Sequence, residues 1–271
     1  MSSELKNKTQ KLKEIFQSLR KVLVAYSGGV DSTLLLKVAK DTLEDENVLA
    51  VTAFSPLYPE RELAEAKNVI QAIGGRHLLI ESNELEIDGF SKNPTNRCYY
   101  CKKRLFEELI KIAEKESIPF VVEGSTLDDE MDHRPGRKAI QELGIRSPLK
   151  EALFTKANVR ELSNTLGLPT WDKPSFACLA SRFPYGEEIT IEGLRMVGEA
   201  EDFLFGLGFK QVRVRHYQNL ARIEILQEEM DRLIEGSLRE KVVSHLKAIG
   251  YRYVTLDLQG FRSGSMNEVL G

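Results

Sequence analysis

The segment Ser27–Ser32 constrains the fold of this chain more than any other stretch. It follows an apolar run, Val22–Tyr26, and precedes an apolar-periodic stretch that begins at Thr33, which predicts a buried strand, a turn of small residues and a helix start. The unpaired N–H groups and the positive dipole end of a helix start favour an anion. Gly28 and Gly29 allow the backbone to approach a phosphate closely, because neither carries a Cβ.

The side chains of this segment add to a predicted phosphate site. Two glycines alone would fit an ordinary turn equally well, but the full string S-G-G-V-D-S is more specific and differs from the Walker A pattern. It matches the loop of enzymes that split ATP into AMP and pyrophosphate to adenylate a substrate. We expect ATP and Mg²⁺ as ligands, with Asp31 bound to Mg²⁺ directly or through water. The residues expected to bind ATP in this loop are Ser27, Gly28, Gly29, Asp31 and Ser32.

Short apolar runs alternate with helical patterns through the first two thirds of the chain. This alternation predicts an α/β fold with right-handed crossovers and a parallel sheet. In such sheets ligands collect beyond the carboxyl ends of the strands, here after Tyr26, Ala53 and Val122. The last of these loops is Glu123–Asp129, where Gly124 allows close approach and Glu123 or Asp128 offers a carboxylate to a metal. The alternative for this loop is a turn that only caps a helix.

The composition changes near Phe183–Gly186, which is a turn-prone stretch. Beyond it the pattern reads helix, strand, strand, helix, strand, which predicts a small ferredoxin-like or related α+β domain. We therefore expect an ATP pyrophosphatase domain over residues 1–185 and a substrate or oligomerisation domain over residues 186–271.

The overall composition excludes several classes of protein. With 42% hydrophobic and 29% charged residues the chain is expected to be globular, and no apolar run is long enough to span a membrane. The Lys-rich segment 1–13 has no apolar stretch, so we expect no secretory signal and a cytoplasmic location. A net charge of −3 argues against a nucleic-acid partner. Three cysteines in such a chain argue against a disulfide framework.

The three cysteines are candidates for metal or redox chemistry. Cys98 and Cys101 form a C-x-x-C pattern, and Cys178 lies 77 residues further on. No histidine is close to them in sequence to complete a zinc site. The sequence leaves open a redox pair, an iron–sulfur cluster with one iron exposed, and three unrelated cysteines.

Several arginines are candidates for binding phosphate or carboxylate, because guanidinium groups bind both in a bidentate manner. Arg134 and Arg137 follow the Glu123–Asp129 loop, whereas Arg213 and Arg215 share one face of a predicted strand, with a solvated face as the alternative. Near Thr155, the predicted N-cap of a helix, Lys156 and Arg160 fit solvated helix charges, and we favour that interpretation for Arg160. The polar segment 259–267 is expected to fold back on the site or to join subunits.

Together these motifs resemble one family, the LarE-type ATP-dependent sulfur transferases of the nickel-pincer nucleotide pathway. The motifs that carry the resemblance are S-G-G-V-D-S, N-R-C-Y-Y-C-K-K, E-G-S-T-L-D-D, H-R-P-G-R-K-A, A-C-L-A-S-R-F-P-Y-G and L-D-L-Q-G-F-R-S-G-S-M-N. The resemblance implies a Rossmann-like ATP pyrophosphatase fold and a small-molecule nucleotide substrate. It implies adenylation of a carboxylate of pyridinium-3,5-biscarboxylic acid mononucleotide, release of pyrophosphate, and replacement of the activated oxygen by sulfur.

The resemblance also implies roles for residues outside the loop. Gly124 and Arg134 are expected near ATP, and Arg213 and Arg215 near the substrate phosphate. The resemblance also implies a homo-oligomer, such as a hexamer. The further residues expected to line the substrate site are Ser181, Arg182 and Glu201.

The family resembled here has two ways of supplying sulfur. One variant sacrifices a single cysteine in the A-C-L-A-S-R region, and the other holds a 4Fe-4S cluster on three cysteines. Because Cys98, Cys101 and Cys178 are all present, the chain resembles the cluster variant, with these cysteines as catalytic residues. Sacrifice of Cys178 stays open, as do a tRNA thiolation enzyme, an amide-forming synthetase and a module that only senses adenine nucleotides.

Overall fold

The computed structural model describes residues 1–130, 135–174, 176–262 and 264–270. The chain forms two compact units. The first contains Met1–Ser55, Glu60–Ile87 and Asn96–Phe176, and the second contains Pro56–Pro59, Asp88–Thr95 and Ala177–Gly271. The expected domain boundary after residue 185 stays a prediction.

The first unit is built on a parallel sheet of four strands. The strands are β1 (Val22–Ala25), β2 (Val48–Phe54), β3 (Arg76–Glu81) and β4 (Phe120–Val122). The helices are α1 (Ser3–Leu19), α2 (Val30–Thr42), α3 (Glu60–Ile73), α4 (Arg97–Lys115), α5 (Gly136–Glu142), α6 (Pro148–Glu151) and α7 (Lys156–Thr165). The strand order is β3-β2-β1-β4 with every pairing parallel, so the predicted α/β fold is confirmed.

Alternate residues of β1 face two different cores of the first unit. Val22 and Val24 pack in a cluster that includes residues of α1, α2 and α7, whereas Leu23 packs in a cluster that includes residues of α4 and α5. This division follows from the two-residue repeat of a strand. Because both faces are covered, the central strands read as continuous apolar runs in the sequence.

The strand order places the functional loops of the first unit. From β1 the chain crosses to β2 and β3 on one side and then returns to β4 on the other side of β1. The order therefore reverses between β1 and β4, and ligands of open α/β sheets bind at such a switch point beyond the carboxyl ends of the strands. The loops after β1 and β4 both begin at this switch point.

The second unit contains a mixed sheet of three strands. Its elements are α8 (Ile191–Gly206), β5 (Val212–Tyr217), β6 (Leu220–Ile225), α9 (Met230–Ile234), α10 (Gly236–Ile249) and β7 (Tyr253–Leu256). Strands β5 and β6 pair antiparallel, and β6 and β7 pair parallel. Apolar residues of α8, α10 and the three strands form one core, as expected for an α+β arrangement. Among the described helices of the whole chain, none is long and apolar enough to cross a membrane.

Candidate active site

The turn between β1 and α2 adopts a conformation that requires glycine. Gly28 has φ +73°, and a Cβ at this position would lie 2.6 Å from the Cβ of Ala66 on α3. Gly29 is the N-cap of α2 and has no side chain to satisfy the first N–H groups of the helix. The start of α2 therefore presents donor groups without a covering side chain, which suits an anionic ligand.

The two serines of this turn shape it from within. The backbone N–H of Ser27 donates to Ser32 Oγ at 3.3 Å, and the two hydroxyl oxygens are 3.1 Å apart. Ser32 Oγ also donates to the carbonyl oxygen of Gly29 at 3.2 Å, and Ser32 is buried. These bonds tie the first and last residues of the turn together.

Gly124, in the loop after β4, lies directly on the start of α2. A Cβ on Gly124 would be 3.1 Å from the backbone nitrogen of Ser32 and 3.3 Å from the Cβ of Asp31. The structure therefore brings together the two loops that the sequence placed at one edge of the sheet. A larger residue at position 124 would force them apart.

Lys156, the first residue of α7, joins the two loops electrostatically. Its Nζ lies 3.3 Å from Asp31 Oδ2 and 3.2 Å from Asp129 Oδ1, and Asp129 is buried. Burial raises the pKa of Asp31, and the Asp129 carboxylate raises it further, whereas the Lys156 ammonium opposes both. Sequence reasoning missed this role of Lys156, because the contact joins residues that are 125 positions apart in the chain.

The carboxylates of the β4 loop also hold its backbone. Asp129 Oδ2 accepts hydrogen bonds from the backbone N–H of Thr126 at 2.8 Å and from its hydroxyl at 3.0 Å. Glu123 Oε2 accepts from the N–H of Ser125 at 3.0 Å, and Glu123 Oε1 accepts from the hydroxyl of Ser147. These contacts favour the turn alternative for Glu123.

The remaining candidates of the first unit take different positions. Asp128 Oδ2 accepts from the backbone N–H of Lys156 at 2.6 Å, so it anchors the start of α7. Arg160 is half-buried and donates to the carbonyl oxygens of Trp171 and Lys173, both at 2.9 Å, so this partly solvated charge also holds the segment that follows α7. Arg137 Nη1 donates to the carbonyl oxygen of Asp129 at 3.0 Å. Arg134 lies outside the described residues.

In the second unit, Arg182 holds the backbone around Cys178. Cys178 immediately precedes a 3₁₀ turn, Leu179–Arg182. Arg182 Nη1 donates to the carbonyl oxygens of Ala177 at 2.5 Å and of Cys178 at 3.1 Å, and to Ser181 Oγ at 2.9 Å. Arg182 therefore positions the cysteine loop.

Glu201, on α8, fixes Arg182 in turn. The two side chains form a bidentate ion pair with distances of 2.9 and 2.8 Å, and both are fully buried. Glu201 Oε1 also accepts from the backbone N–H of Val214 at 2.9 Å. Burial alone would raise the pKa of Glu201, but the Arg182 guanidinium outweighs it and holds that pKa below its usual value. In this state neither side chain is open to a ligand.

Arg213 and Arg215 lie on one face of β5, as the alternation of a strand requires. Arg215 Nη2 donates to Glu224 Oε2 at 2.6 Å, and Nη1 donates to the carbonyl oxygen of Ser181 at 3.1 Å. Its Nε is buried without a hydrogen-bond partner. Burial and the positive charges of Arg182 and Arg215 lower the pKa of Arg213 to about 10. An anion beside Arg213 would relieve the repulsion between these neighbouring guanidinium groups.

The cysteines do not form a metal site in the described part of the chain. Cys98 and Cys101 lie one turn apart at the start of α4 in the first unit, with Cys98 exposed, whereas Cys178 belongs to the second unit. Among the described residues no group of three or more His, Cys, Asp or Glu side chains is arranged to hold a metal ion. The expected 4Fe-4S cluster therefore finds no support in this arrangement, and none of the three cysteines, all of which are described, forms a disulfide.

Comparison with known proteins identifies the family. A family model described as NAD synthase matches residues 4–111. An uncharacterized protein of Synechocystis sp. is 47% identical, covering 98% of this chain and 99% of its own length. An uncharacterized protein of Methanocaldococcus jannaschii is 34% identical, covering 93% and 94%. The pyridinium-3,5-bisthiocarboxylic acid mononucleotide synthase of Lactiplantibacillus plantarum is 40% identical, covering 98% and 96%. The chain therefore belongs to the LarE-type family of which this Lactiplantibacillus plantarum synthase is a member.

Proposed function

We propose that this protein is an ATP-dependent sulfur transferase that acts on pyridinium-3,5-biscarboxylic acid mononucleotide. It adenylates a carboxylate of this substrate, releases pyrophosphate, and converts the activated carboxylate into a thiocarboxylate. The proposal is supported by the near full-length similarity to a synthase of the bisthiocarboxylic acid mononucleotide. It is also supported by the geometry of the turn between β1 and α2.

The first unit carries out the first half of the reaction, which is the adenylation of the carboxylate. The N–H groups at the start of α2 bind the pyrophosphate end of ATP, and Gly28 and Gly29 leave room for its oxygens. The substrate carboxylate oxygen attacks the α-phosphorus, and the bond to the pyrophosphate oxygen breaks. A carboxylate is a poor electrophile, and this step turns its oxygen into a leaving group bound to AMP.

The residues beside Asp31 fit a magnesium ion. Mg²⁺ binds one or two carboxylates together with phosphate oxygens and water, and Asp31 and Asp129 already share one cationic group, the Lys156 ammonium. We propose that Asp31 binds Mg²⁺, which neutralises charge on the departing pyrophosphate when bound. Lys156 would then be released from Asp31 and would stabilise a phosphate oxygen.

We propose that Arg213 and Arg215 in the second unit bind the phosphate of the mononucleotide. The charges that act on the Arg213 guanidinium include the like charges of Arg182 and Arg215 and the carboxylates of Glu201 and Glu224. A phosphate bound beside Arg213 and Arg215 would offset the repulsion between these guanidinium groups. The partnerless Nε of Arg215 is one donor that it would satisfy.

Cys178 is the proposed site of sulfur delivery. Its thiolate attacks the acyl carbon, AMP leaves, and a thioester forms. Cleavage of the Cβ–S bond, with loss of the Cα proton to a base, then leaves the thiocarboxylate and dehydroalanine. Arg182, Glu201 and Ser181 hold the loop for this attack. The described residues do not fit a three-cysteine cluster, so no step is derived through one.

The observation that carries the proposal is the meeting of Gly124, Asp31 and the α2 start at the switch point of the sheet. The test measures pyrophosphate release from ATP and Mg²⁺ with and without the pyridinium biscarboxylate mononucleotide. We expect substrate-dependent release, loss of activity in Asp31→Asn, and near wild-type activity in Asp41→Asn, which changes an exposed ion pair of the same helix.

A mass measurement after turnover tests the sulfur source. Loss of one hydrogen sulfide from Cys178 supports sacrifice, whereas an unchanged mass with thiocarboxylate formed contradicts it. Pyrophosphate release with tRNA and not with the mononucleotide would overturn the proposed substrate. The cytoplasmic location and the homo-oligomer stay predictions.

A further inference from the structure

The C-terminal segment of the second unit folds back onto β5 and β6. We call Phe261, Arg262 and residues 264–269 the C-terminal strap. The backbone N–H of Phe261 donates to the carbonyl oxygen of Ile225, the last residue of β6, at 2.7 Å. This bond attaches the start of the strap to the end of β6.

The strap covers both arginines that the proposed function assigns to phosphate. The Phe261 ring lies 5.2 Å from the guanidinium carbon of Arg213, within the range of a cation–π contact. Ser265 Oγ accepts a hydrogen bond from Arg215 Nη2 at 2.8 Å and donates to Glu224 at 3.2 Å. With the strap in place, Arg213 is 6% exposed and Arg215 is 4% exposed. A ligand from solvent cannot reach them in this state.

The outer end of the strap is held by a contact that can be released. This contact is an exposed hydrogen bond from the Tyr185 hydroxyl to Asn267 Oδ1 at 2.9 Å. Gly260 precedes the strap with φ +71°, and Gly264 lies within it with φ +79°. Glycine passes between backbone regions at low steric cost, so these positions allow the direction of the chain to change.

We propose that the strap is a gate over the anion site of the second unit. The strap must move away before a phosphate monoester reaches Arg213 and Arg215. A phosphate oxygen then replaces Ser265 Oγ as the acceptor of the hydrogen bond from Arg215. This inference rests on the proposed function, because it uses the assignment of these arginines to the substrate phosphate.

The test compares binding of nicotinic acid mononucleotide by the full-length protein and by variants loosened in the strap. Phe261→Leu removes the ring over Arg213, and Ser265→Ala removes the hydroxyl on Arg215. A closed gate lowers the fraction of protein that can bind the probe, and each variant should raise that fraction. We therefore expect the association rate constant of each variant for the probe to be about three- to tenfold higher than that of wild type. Val269→Ala is the matched control, because Val269 lies in the strap and is 77% exposed.

Hydrogen exchange gives a second measurement. We expect the amides of Phe261, Arg262 and residues 264–269 to exchange faster when wild-type protein is saturated with nicotinic acid mononucleotide, and those of α8 to stay unchanged. The gate would be overturned if both variants bound the probe at the wild-type rate and the exchange of the strap amides did not change.

The substitutions Arg213→Gln and Arg215→Gln separate the two proposals. If binding of the probe depends on both arginines but neither the strap variants nor the exchange differ, the gate is wrong and the proposed phosphate site stands. If binding is unaffected by both substitutions, the phosphate site fails and the gate fails with it. If nicotinic acid mononucleotide does not bind even to Phe261→Leu and Ser265→Ala, the gate and the phosphate site are both overturned.

Discussion

Arg182 and Glu201 form a fully buried, bidentate ion pair in the second unit, with one hydrogen bond of 2.9 Å and one of 2.8 Å. Removing the charge of Glu201 leaves a buried guanidinium without its counterion. We expect Glu201→Gln to lower the free energy of unfolding by about 3–5 kcal/mol, measured by urea denaturation. Glu199→Gln breaks an exposed ion pair of the same helix and should have a much smaller effect. Equal losses in the two variants would contradict the structural role of the pair.

Arg182→Lys tests whether the guanidinium positions Cys178. Lysine lacks the planar fork that donates to the carbonyl oxygens of Ala177 and Cys178. We expect thiocarboxylate formation to fall by about ten- to a hundredfold, whereas ATP-dependent pyrophosphate release falls much less. The two products are measured in one reaction below the unfolding temperature. A parallel loss of both would show that the substitution acts on the fold as a whole.

Gly28 and Gly29 are neighbours with opposite tolerance for a side chain. Gly28→Ala places a Cβ 2.6 Å from Ala66 Cβ on a backbone with φ +73°, and we expect a loss of about 2–4 kcal/mol in the free energy of unfolding. Gly29 has φ −81°, and its nearest neighbour would be 3.4 Å away, so Gly29→Ala should be nearly neutral for stability. Thermal unfolding of the two variants checks this contrast, which equal destabilisation would refute.

Lys156→Met should change the pH dependence of pyrophosphate release. Burial raises the pKa of Asp31 and the Lys156 ammonium lowers it, so removal of the ammonium raises this pKa further. Only the ionised carboxylate binds Mg²⁺, and we therefore expect the acid limb of the pH–rate profile to move to higher pH. Lys156→Arg keeps the charge and should restore the wild-type limb. Identical profiles for wild type and Lys156→Met would exclude this coupling.

The buried position of His216 leads us to expect that the folded protein becomes less stable in acid. Its Nδ1 lies 3.1 Å from the Tyr251 hydroxyl, its ring packs against Phe183, and burial lowers its pKa. Below the ordinary histidine pKa of about 6.5 the unfolded chain binds a proton that the folded chain resists, so stability falls as pH decreases. We expect the free energy of unfolding of His216→Gln to vary less between pH 7 and pH 5 than that of wild type. Equal slopes in urea titrations at several pH values would disprove it.

Much of the fold was readable from the sequence because its signals are local. Strand ends expected after Ala53 and Val122 agree with β2, which ends at Phe54, and with β4, which ends at Val122, since buried strands are continuous apolar segments. The long helix α4 was not predicted, because its apolar residues follow a polar opening that contains the C-x-x-C pattern. The single helix predicted between the last two strands is divided at Glu235, next to Gly236, which has a positive φ of +37°.

The candidate site was less predictable, because its key contacts join distant segments. The turn conformation of Gly28 and the helix start at Val30 follow from adjacent residues. The position of Lys156 between Asp31 and Asp129 depends on how α7 packs in the first unit, and no spacing in the sequence encodes that distance. The hydrogen bond between Arg215 and Ser265 likewise joins segments that are far apart in the sequence.

The contact of Lys156 with Asp31 also has a consequence for synthesis of the protein. The turn between β1 and α2, which is the proposed phosphate site, is complete after about the first tenth of the chain, but its cationic partner Lys156 is translated more than a hundred residues later. Because synthesis proceeds from the amino end, a nascent chain that ends before α7 contains the turn but lacks Lys156. ATP should therefore begin to protect the nascent chain from proteolysis only after Lys156 has emerged.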